Sequence, residues 1–263
     1  MSDIDSTMDK KNNKLSIIVL SFNNVDQINE LLENIDFADE IVVIDSFSTD
    51  GTFEAIEKHK DVILKQHRFN NFSEQRNFAI KKSTNDWVLF IDTDERISDE
   101  LREEIIHAVQ KPDEIVTFGF YRKFFMNSSS IKYSGFQSEK IYRLFHKKYA
   151  IYDVNKFVHE TLLINGRSKM FKNQLHHYSY TSEEAYKEKL KLYAKLRAKE
   201  LYIKKLKPNY YHFFIKPPFR FFKHFVIKLG FLDGKNGFKI ARLNAYGVRQ
   251  RYVELEKLYS SDK

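Results

Sequence analysis

Cysteine is absent from all 263 residues, which removes disulfides, thiolate metal sites and cysteine nucleophiles from every reading of the chain. The absence fits a reducing compartment, with the cytoplasm as the expected one. Long apolar runs are absent too: Lys, Arg or His interrupts each aromatic-rich region before it reaches the length needed to cross a bilayer. The first 14 residues lack the apolar core of a secretory signal and read as a flexible polar tail. No internal repeat, low-complexity tract or nucleic-acid-binding motif occurs, so a nucleic-acid partner is not expected.

What the chain does contain is enough apolar material to bury a core: 42% of residues are hydrophobic and 30% are charged. The net charge of +8 favours an anionic partner such as phosphate groups or lipid headgroups. The charge is unevenly spread. Asp92, Asp94, Glu95, Asp99, Glu100, Glu103 and Glu104 gather in the first half, whereas Lys and Arg dominate after Lys187, so the two halves are expected to do different work.

Four short runs rich in Val, Ile and Leu (Leu15 to Leu20, Glu40 to Ile44, Val62 to Gln66, Trp87 to Ile91) read as strands. Gln27 to Ile35, Thr52 to Lys58 and Phe72 to Lys82 have helical spacing between them. The order β-α-β-α-β-α-β implies a mostly parallel sheet with crossover helices, an α/β fold. Ligands of such sheets lie beyond the carboxyl ends of the strands, which draws attention to Ser21-Phe22-Asn23, Asp45-Ser46 and Asp92-Thr93-Asp94. Further on, Val116 to Phe125 and Ile141 to Phe145 read as added strands, with a Ser-rich turn at Asn127 to Ser130. Thr181 and Glu184 form a capping-box pattern ahead of a helix ending near Lys207, before Pro208.

Asp92 and Asp94 follow a buried-strand pattern, and hard oxygen ligands of this kind suit Mn²⁺ or Mg²⁺ held against a diphosphate. Carboxylates at a strand end also cap turns and helices, so the motif alone leaves both uses open. The polar stretch Asp45-Ser46-Phe47-Ser48-Thr49-Asp50-Gly51-Thr52 has Gly51 available for a positive φ and can be a well-made turn and nothing more.

Taken together, Ser16 to Asn23, Glu40 to Asp45 with its turn, Gln75-Arg76-Asn77-Phe78-Ala79 and Asp92-Thr93-Asp94-Glu95 resemble a family 2 glycosyltransferase of the GT-A fold. Looser segments resemble the bacterial lipopolysaccharide-core enzymes of that family: Tyr142-Arg143-Leu144-Phe145, Val158-His159-Glu160, Leu175-His176-His177 and Gly230-Phe231-Leu232-Asp233-Gly234. The resemblance implies a donor site within residues 15–98, an acceptor side within 115–180 and a helical C-terminal extension over 181–263. It implies that Phe22 lies near the nucleotide base, Asp45 hydrogen-bonds that base and Arg76 approaches the diphosphate. Asp92 would meet the ribose or the metal, and Asp94 would be the principal metal ligand, with Mn²⁺ or Mg²⁺ as cofactor. Arg76 has an alternative reading as a solvated helix residue, and His177, favoured over His176 as a further metal ligand, has one as a hydrogen-bonded turn residue.

An inverting transfer needs a base for the acceptor hydroxyl. Glu160 is the candidate, a carboxylate beside His159 in a segment otherwise apolar at Phe157 and Val158, although the acidic pair that many family members place there is missing. The implied substrates are a nucleotide-sugar, with UDP-sugar favoured, and a glycan or lipid-linked acceptor of the cell envelope. Phe213, Phe214, Phe219, Phe221, Phe222, Phe225 and Phe231 alternate with Lys216, Arg220, Lys223, His224, Lys228 and Lys235. That pattern suggests aromatics on one side and cations on the other, lying on an anionic membrane at the cytoplasmic face of the inner membrane. Packing of the aromatics onto the catalytic domain is the alternative. Two other functions compete: a haloacid-dehalogenase-like phosphatase with Asp92 as nucleophile, disfavoured because Arg96 stands where a hydroxyl residue is expected, and a non-enzymatic basic module binding RNA or membrane.

Overall fold

A computed structural model of the chain describes residues 13–126, 129–135, 140–154, 161–180 and 183–261. Residues 1–12 of the polar tail, residues 127–128 of the Ser-rich turn, the capping-box Thr181 and the candidate base Glu160 lie outside the described residues. The first half folds as β1 (Leu15–Ser21), α1 (Val25–Asn34), β2 (Glu40–Asp45), α2 (Thr52–Glu57), β3 (Val62–Gln66), α3 (Phe72–Lys82) and β4 (Trp87–Asp92). This is the alternation read from the sequence. β1 pairs in parallel with both β2 and β4, and β2 with β3, so the expected parallel sheet is present.

Adjacent residues of each strand face opposite sides, and both sides are apolar. Ile17, Val19, Val43, Leu89 and Ile91 pack with α1, α2 and α4 (Asp99–Gln110), whereas Ile18, Val42, Ile44, Val88 and Phe90 pack on the side of Ala79 of α3. Burial on both faces is why these strands read as continuous hydrophobic runs.

After the two-residue β5 (Glu95–Arg96) and α4, the sheet continues with the long β6 (Ile115–Met126), β7 (Ser129–Ile131), β8 (Lys140–His146), β11 (Arg167–Met170) and β12 (Leu175–Tyr180). β9 (Ala150–Tyr152) and β10 (Leu162–Ile164) form a separate hairpin. The path through the large sheet is β3-β2-β1-β4-β8-β6-β12-β5. The order in which successive strands are added reverses between β1 and β4, and the crevice at such a switch point is where ligands of open α/β sheets bind. Its rim is the carboxyl end of β1 and the Asp92-Thr93-Asp94 turn.

The C-terminal region is helical, as expected. α5 (Glu183–Ile203) ends four residues earlier than Lys207. Lys205 adopts φ +56°, in the left-handed region, and the chain reaches Pro208 without resuming the helix. Two π-helical turns (Tyr211–Ile215 and Lys223–Ile227) flank the short α6 (Lys216–Phe222), and the 28-residue α7 (Gly234–Ser261) closes the chain. α5 and α7 bury Ala198, Leu201, Tyr252 and Leu255 between them, while Ile240 of α7 packs on Phe124, Met126 and Ile131 of the sheet.

Candidate active site

The loops at the crevice are fixed by short polar contacts. Asp45 is fully buried and its carboxylate accepts from the Ser48 backbone N–H at 3.0 Å, the Ser48 hydroxyl at 2.5 Å and Gln66 Nε2 at 3.2 Å. Asp50 does the same for the next corner, accepting from the backbone N–H groups of Val25 and Thr52. Gly51 takes the positive φ foreseen for it, +91°, and Phe47 is also left-handed at +61°. Asn23 ties the β1 and β2 loops together: its N–H donates to Ser48 Oγ and its side chain accepts from the Thr49 N–H. On this frame Phe22 and Phe47 stand out with more than half of their surface exposed (56% and 53%). Asp45 thus shapes the turn from below, and the two aromatic rings are what the turn offers to a planar ligand.

The Gln75-Arg76-Asn77 motif of α3 is a bracket of three contacts. Gln75 donates to Ser46 Oγ and to the His67 carbonyl, reaching the β2 loop. Asn77 exchanges two hydrogen bonds with the backbone of Tyr152, fixing the end of β9 from which the chain runs toward Glu160. Between them Arg76 is buried (2% exposed), not solvated as the alternative reading had it. Its guanidinium lies over Phe90 and Tyr152 and reaches Asp92 at 3.4 Å.

Asp92 has a second and closer guanidinium. Arg143 of β8 donates from Nη1 and Nη2 to the two carboxylate oxygens at 3.0 and 2.6 Å, a bidentate pair. Burial alone would raise the Asp92 pKa, but Arg143 and Arg76 more than offset it and hold the carboxyl well below its usual range. From the sequence Arg143 stood out only within the Tyr142-Arg143-Leu144-Phe145 segment, with no role of its own. Its signal was a single cation inside the apolar run Ile141 to Phe145, where a buried charge requires a partner.

Asp94 faces two other elements. One oxygen lies 3.2 Å from His177 Nε2 on β12, and the other accepts from Lys189 Nζ of α5 at 2.9 Å. The Tyr178 N–H donates to the Asp94 carbonyl at 2.7 Å, which fixes β12 against the turn. Desolvation opposes ionisation here too, and His177 and Lys189 together keep the Asp94 carboxyl far below its ordinary value. The structure therefore brings Asp94 and His177 together as expected, and leaves His176 on the other side of β12, against Phe125. It also corrects the division of labour expected from the charge distribution, since a lysine of the basic half completes the acidic turn of the first half. Lys189 was not legible among the many lysines of α5, because helix periodicity does not separate one inward-reaching lysine from its solvated neighbours.

Among the described residues no group of three or more His, Asp or Glu side chains is arranged to hold a metal ion. Asp94 and His177 nevertheless fit an ion of the Mg²⁺ or Mn²⁺ type, which commonly takes one or two protein ligands and completes its shell with phosphate and water. The turn as a whole is weighted toward cations. Arg76, Arg143, Lys189 and Arg122, the last 3.5 Å from buried Glu95, stand against the three carboxylates Asp92, Asp94 and Glu95. A crevice with fixed positive charge in excess attracts a polyanion such as a diphosphate.

A family model described as glycosyl transferase family 2 matches residues 16–173. A Rickettsia conorii protein named uncharacterized glycosyltransferase RC0292 is 30% identical, over 94% of this chain and 90% of its own length. LpsC of Rhizobium meliloti, named a lipopolysaccharide core biosynthesis glycosyltransferase, is 24% identical over 91% of this chain and 93% of its own. Of solved structures, Staphylococcus aureus TarS residues 1–349 superimposes with a TM-score of 0.44 at 16% identity, covering 94% of this chain and 92% of that one.

Proposed function

From a chain that belongs to glycosyl transferase family 2, we infer an inverting enzyme that moves a sugar from a nucleotide-diphosphate donor, a UDP-sugar by preference, to a glycan or lipid-linked acceptor. The observation that carries the reading is the Asp92-Thr93-Asp94 turn at the sheet's reversal point, bounded by Arg76, Arg143 and Lys189. A departing diphosphate develops negative charge, and preorganised cations at that place stabilise it. Mn²⁺ or Mg²⁺, with Asp94 and His177 as its protein ligands, would add Lewis-acid stabilisation there. Asp92, locked on both oxygens by Arg143, suits a ribose contact or a scaffold role better than phosphoryl transfer, and family membership sets the phosphatase and RNA-binding alternatives aside.

In this reading exposed Phe22 stacks on the base, above the turn that buried Asp45 shapes. Glu160 is the proposed base, on the grounds given by its sequence segment Val158-His159-Glu160. LpsC's name supports a place in lipopolysaccharide-core or related envelope assembly. In this reading the enzyme works peripherally on the cytoplasmic face of the inner membrane. The test is a thermal-shift series of nucleoside diphosphates and nucleotide-sugars with and without Mn²⁺. Stabilisation by UDP and UDP-sugars that exceeds that by nucleosides is the expected result, and indifference to every diphosphate would overturn the reading.

A further inference from the structure

We propose that Lys189 is a donor-site residue: its ammonium, delivered by α5 onto Asp94, binds the donor diphosphate and competes with a divalent cation for the Asp94 carboxylate. The proposal rests on the donor-site reading given above and adds to it a residue from outside the region matched by the family model, which ends at residue 173.

The geometry comes from three elements converging on one turn. Lys189 Nζ is 2.9 Å from Asp94 Oδ2, and one helical turn along α5 the Tyr193 ring stacks on Phe72, the first residue of α3, at 5.8 Å. Phe72 stands one turn before Arg76 on the same helix. α5 is thus fixed across the start of the helix that carries Arg76, and Arg143 reaches the same carboxylate, Asp92, from β8. A group bound across the turn has Arg76 and Arg143 at Asp92 and Lys189 at Asp94.

An ammonium presents three N–H donors, so a hydrogen bond to Asp94 Oδ2 leaves capacity for phosphate oxygens. The Lys189 side chain retains 39% of its surface in solvent while Asp94 retains 15%, so the lysine is the more open member of the pair. Lysine also suits this task as a compact point charge on a flexible stem, able to follow a phosphate without leaving its carboxylate. A divalent ion on Asp94 has to displace or share with that ammonium, because both oxygens are already occupied by His177 and Lys189. The competing explanation is a buried ion pair that does no more than dock α5, yet α5 is already anchored on α7 through Ala198, Leu201 and Leu255.

Two titrations on the full chain separate these accounts. Mn²⁺ alone is titrated by electron paramagnetic resonance, and UDP is titrated calorimetrically in excess EDTA with uridine as a control, for the parent, Lys189→Gln and Lys189→Arg. The proposal expects Lys189→Gln to bind Mn²⁺ several-fold more tightly and to lose about tenfold in UDP affinity, the scale of one charge-assisted hydrogen bond. Uridine affinity is expected to be unchanged, and Lys189→Arg to retain most of the UDP affinity. Parent-like UDP binding by Lys189→Gln, or parent-like Mn²⁺ binding, overturns the role of Lys189 alone. A parent chain that binds no nucleoside diphosphate with or without Mn²⁺ overturns the donor-site reading and this proposal with it. The uridine control and the thermal midpoint of each variant show that the fold is intact.

Discussion

Asp92 and Asp94 are separated only by Thr93, yet the chain treats them differently. Asp92 is gripped by two buried guanidiniums, whereas Asp94 is met by the ammonium of a partly exposed lysine side chain and by an imidazole. Removing a partner therefore has different consequences. Arg143→Met takes from Asp92 the closer of its two guanidiniums and is expected to cost on the order of 1–3 kcal/mol, read as a lowered midpoint in urea. Arg143→Lys recovers only part of this, since one ammonium cannot reproduce the fork. Asp94→Ala leaves Lys189 free to turn to solvent, so its stability is expected to stay near the parent's while Mn²⁺-dependent nucleotide-sugar binding is lost. Donor binding with unchanged metal dependence in that variant would remove Asp94 from the metal site. Glu160→Gln is expected to lower turnover about 10²-fold with donor affinity little changed, the signature of a lost general base; ordinary turnover would send the search to Asp153 or Glu139.

The parallel strands and crossover helices of the first half were legible because they follow a period, and the Asp92 turn because it closes an apolar strand. His177 was legible as a candidate, but the roles of Arg143 and Lys189 were not, since they reach the site from β8 and α5 by tertiary packing that no local pattern encodes. The Gly230-Phe231-Leu232-Asp233-Gly234 segment shows the converse, a legible motif whose work is structural. The Asp233 carboxylate accepts from the Lys132 and Tyr133 N–H groups and the Ser134 hydroxyl. His224 Nδ1 donates to the Ser134 carbonyl at 2.7 Å. A side chain on Gly237 would begin 1.7 Å from the Gly230 oxygen, so the start of α7 depends on that glycine. This staple joins the C-terminal helices to the β7 end of the sheet, and it has a pH dependence. Burial, with Arg220, Lys223 and Lys228 nearby, pulls the His224 pKa from its ordinary 6.5 down to about 4. Between those values the unfolded chain takes up a proton that the folded chain resists, so stability falls as pH drops through that window. Asp92 and Asp94, depressed below their usual 3.8, act only at lower pH. The thermal midpoint is thus expected to decline between about pH 6.5 and 4, and His224→Asn, which keeps a donor for Ser134 without the titration, to flatten that decline. Equal losses in parent and variant would place the acid sensitivity elsewhere.

Across the whole molecule the exposed apolar surface is concentrated in one region. Twelve of the twenty large hydrophobic side chains exposed among the described residues lie between Tyr210 and Phe238, including Phe214, Phe219, Phe222, Ile227, Phe231 and Leu232. This differs from the arrangement suggested by the sequence in which side faces out. Lys216 turns inward, donating to the Tyr252 hydroxyl at 2.9 Å, and Arg220 is half-buried, while Phe214, Phe219, Phe222 and Phe231 are on the outer surface and Phe213, Phe221 and Phe225 are partly buried. Lys228 and Lys235 remain exposed among them. No described helix is long and apolar enough to cross a bilayer. A clustered apolar surface edged by lysines gains from shallow burial among acyl chains and from anionic headgroups together. We propose that this region seats the enzyme on an anionic membrane, where a lipid-linked acceptor is presented to the crevice from one side. The chain is expected to sediment with vesicles containing anionic lipid and only weakly with neutral ones. Replacing Phe219, Phe222 and Ile227 by Ser should abolish sedimentation on both. Replacing Lys228 and Lys235 by Gln should narrow the difference between the two lipids, since each lysine near such a surface contributes about 1 kcal/mol. UDP binding should persist in both variants, because the substituted side chains are on the helical region's outer surface and not at the Asp92 turn. Sedimentation of the triple Ser variant at the parent's level, or none by the parent, would remove the membrane from the account.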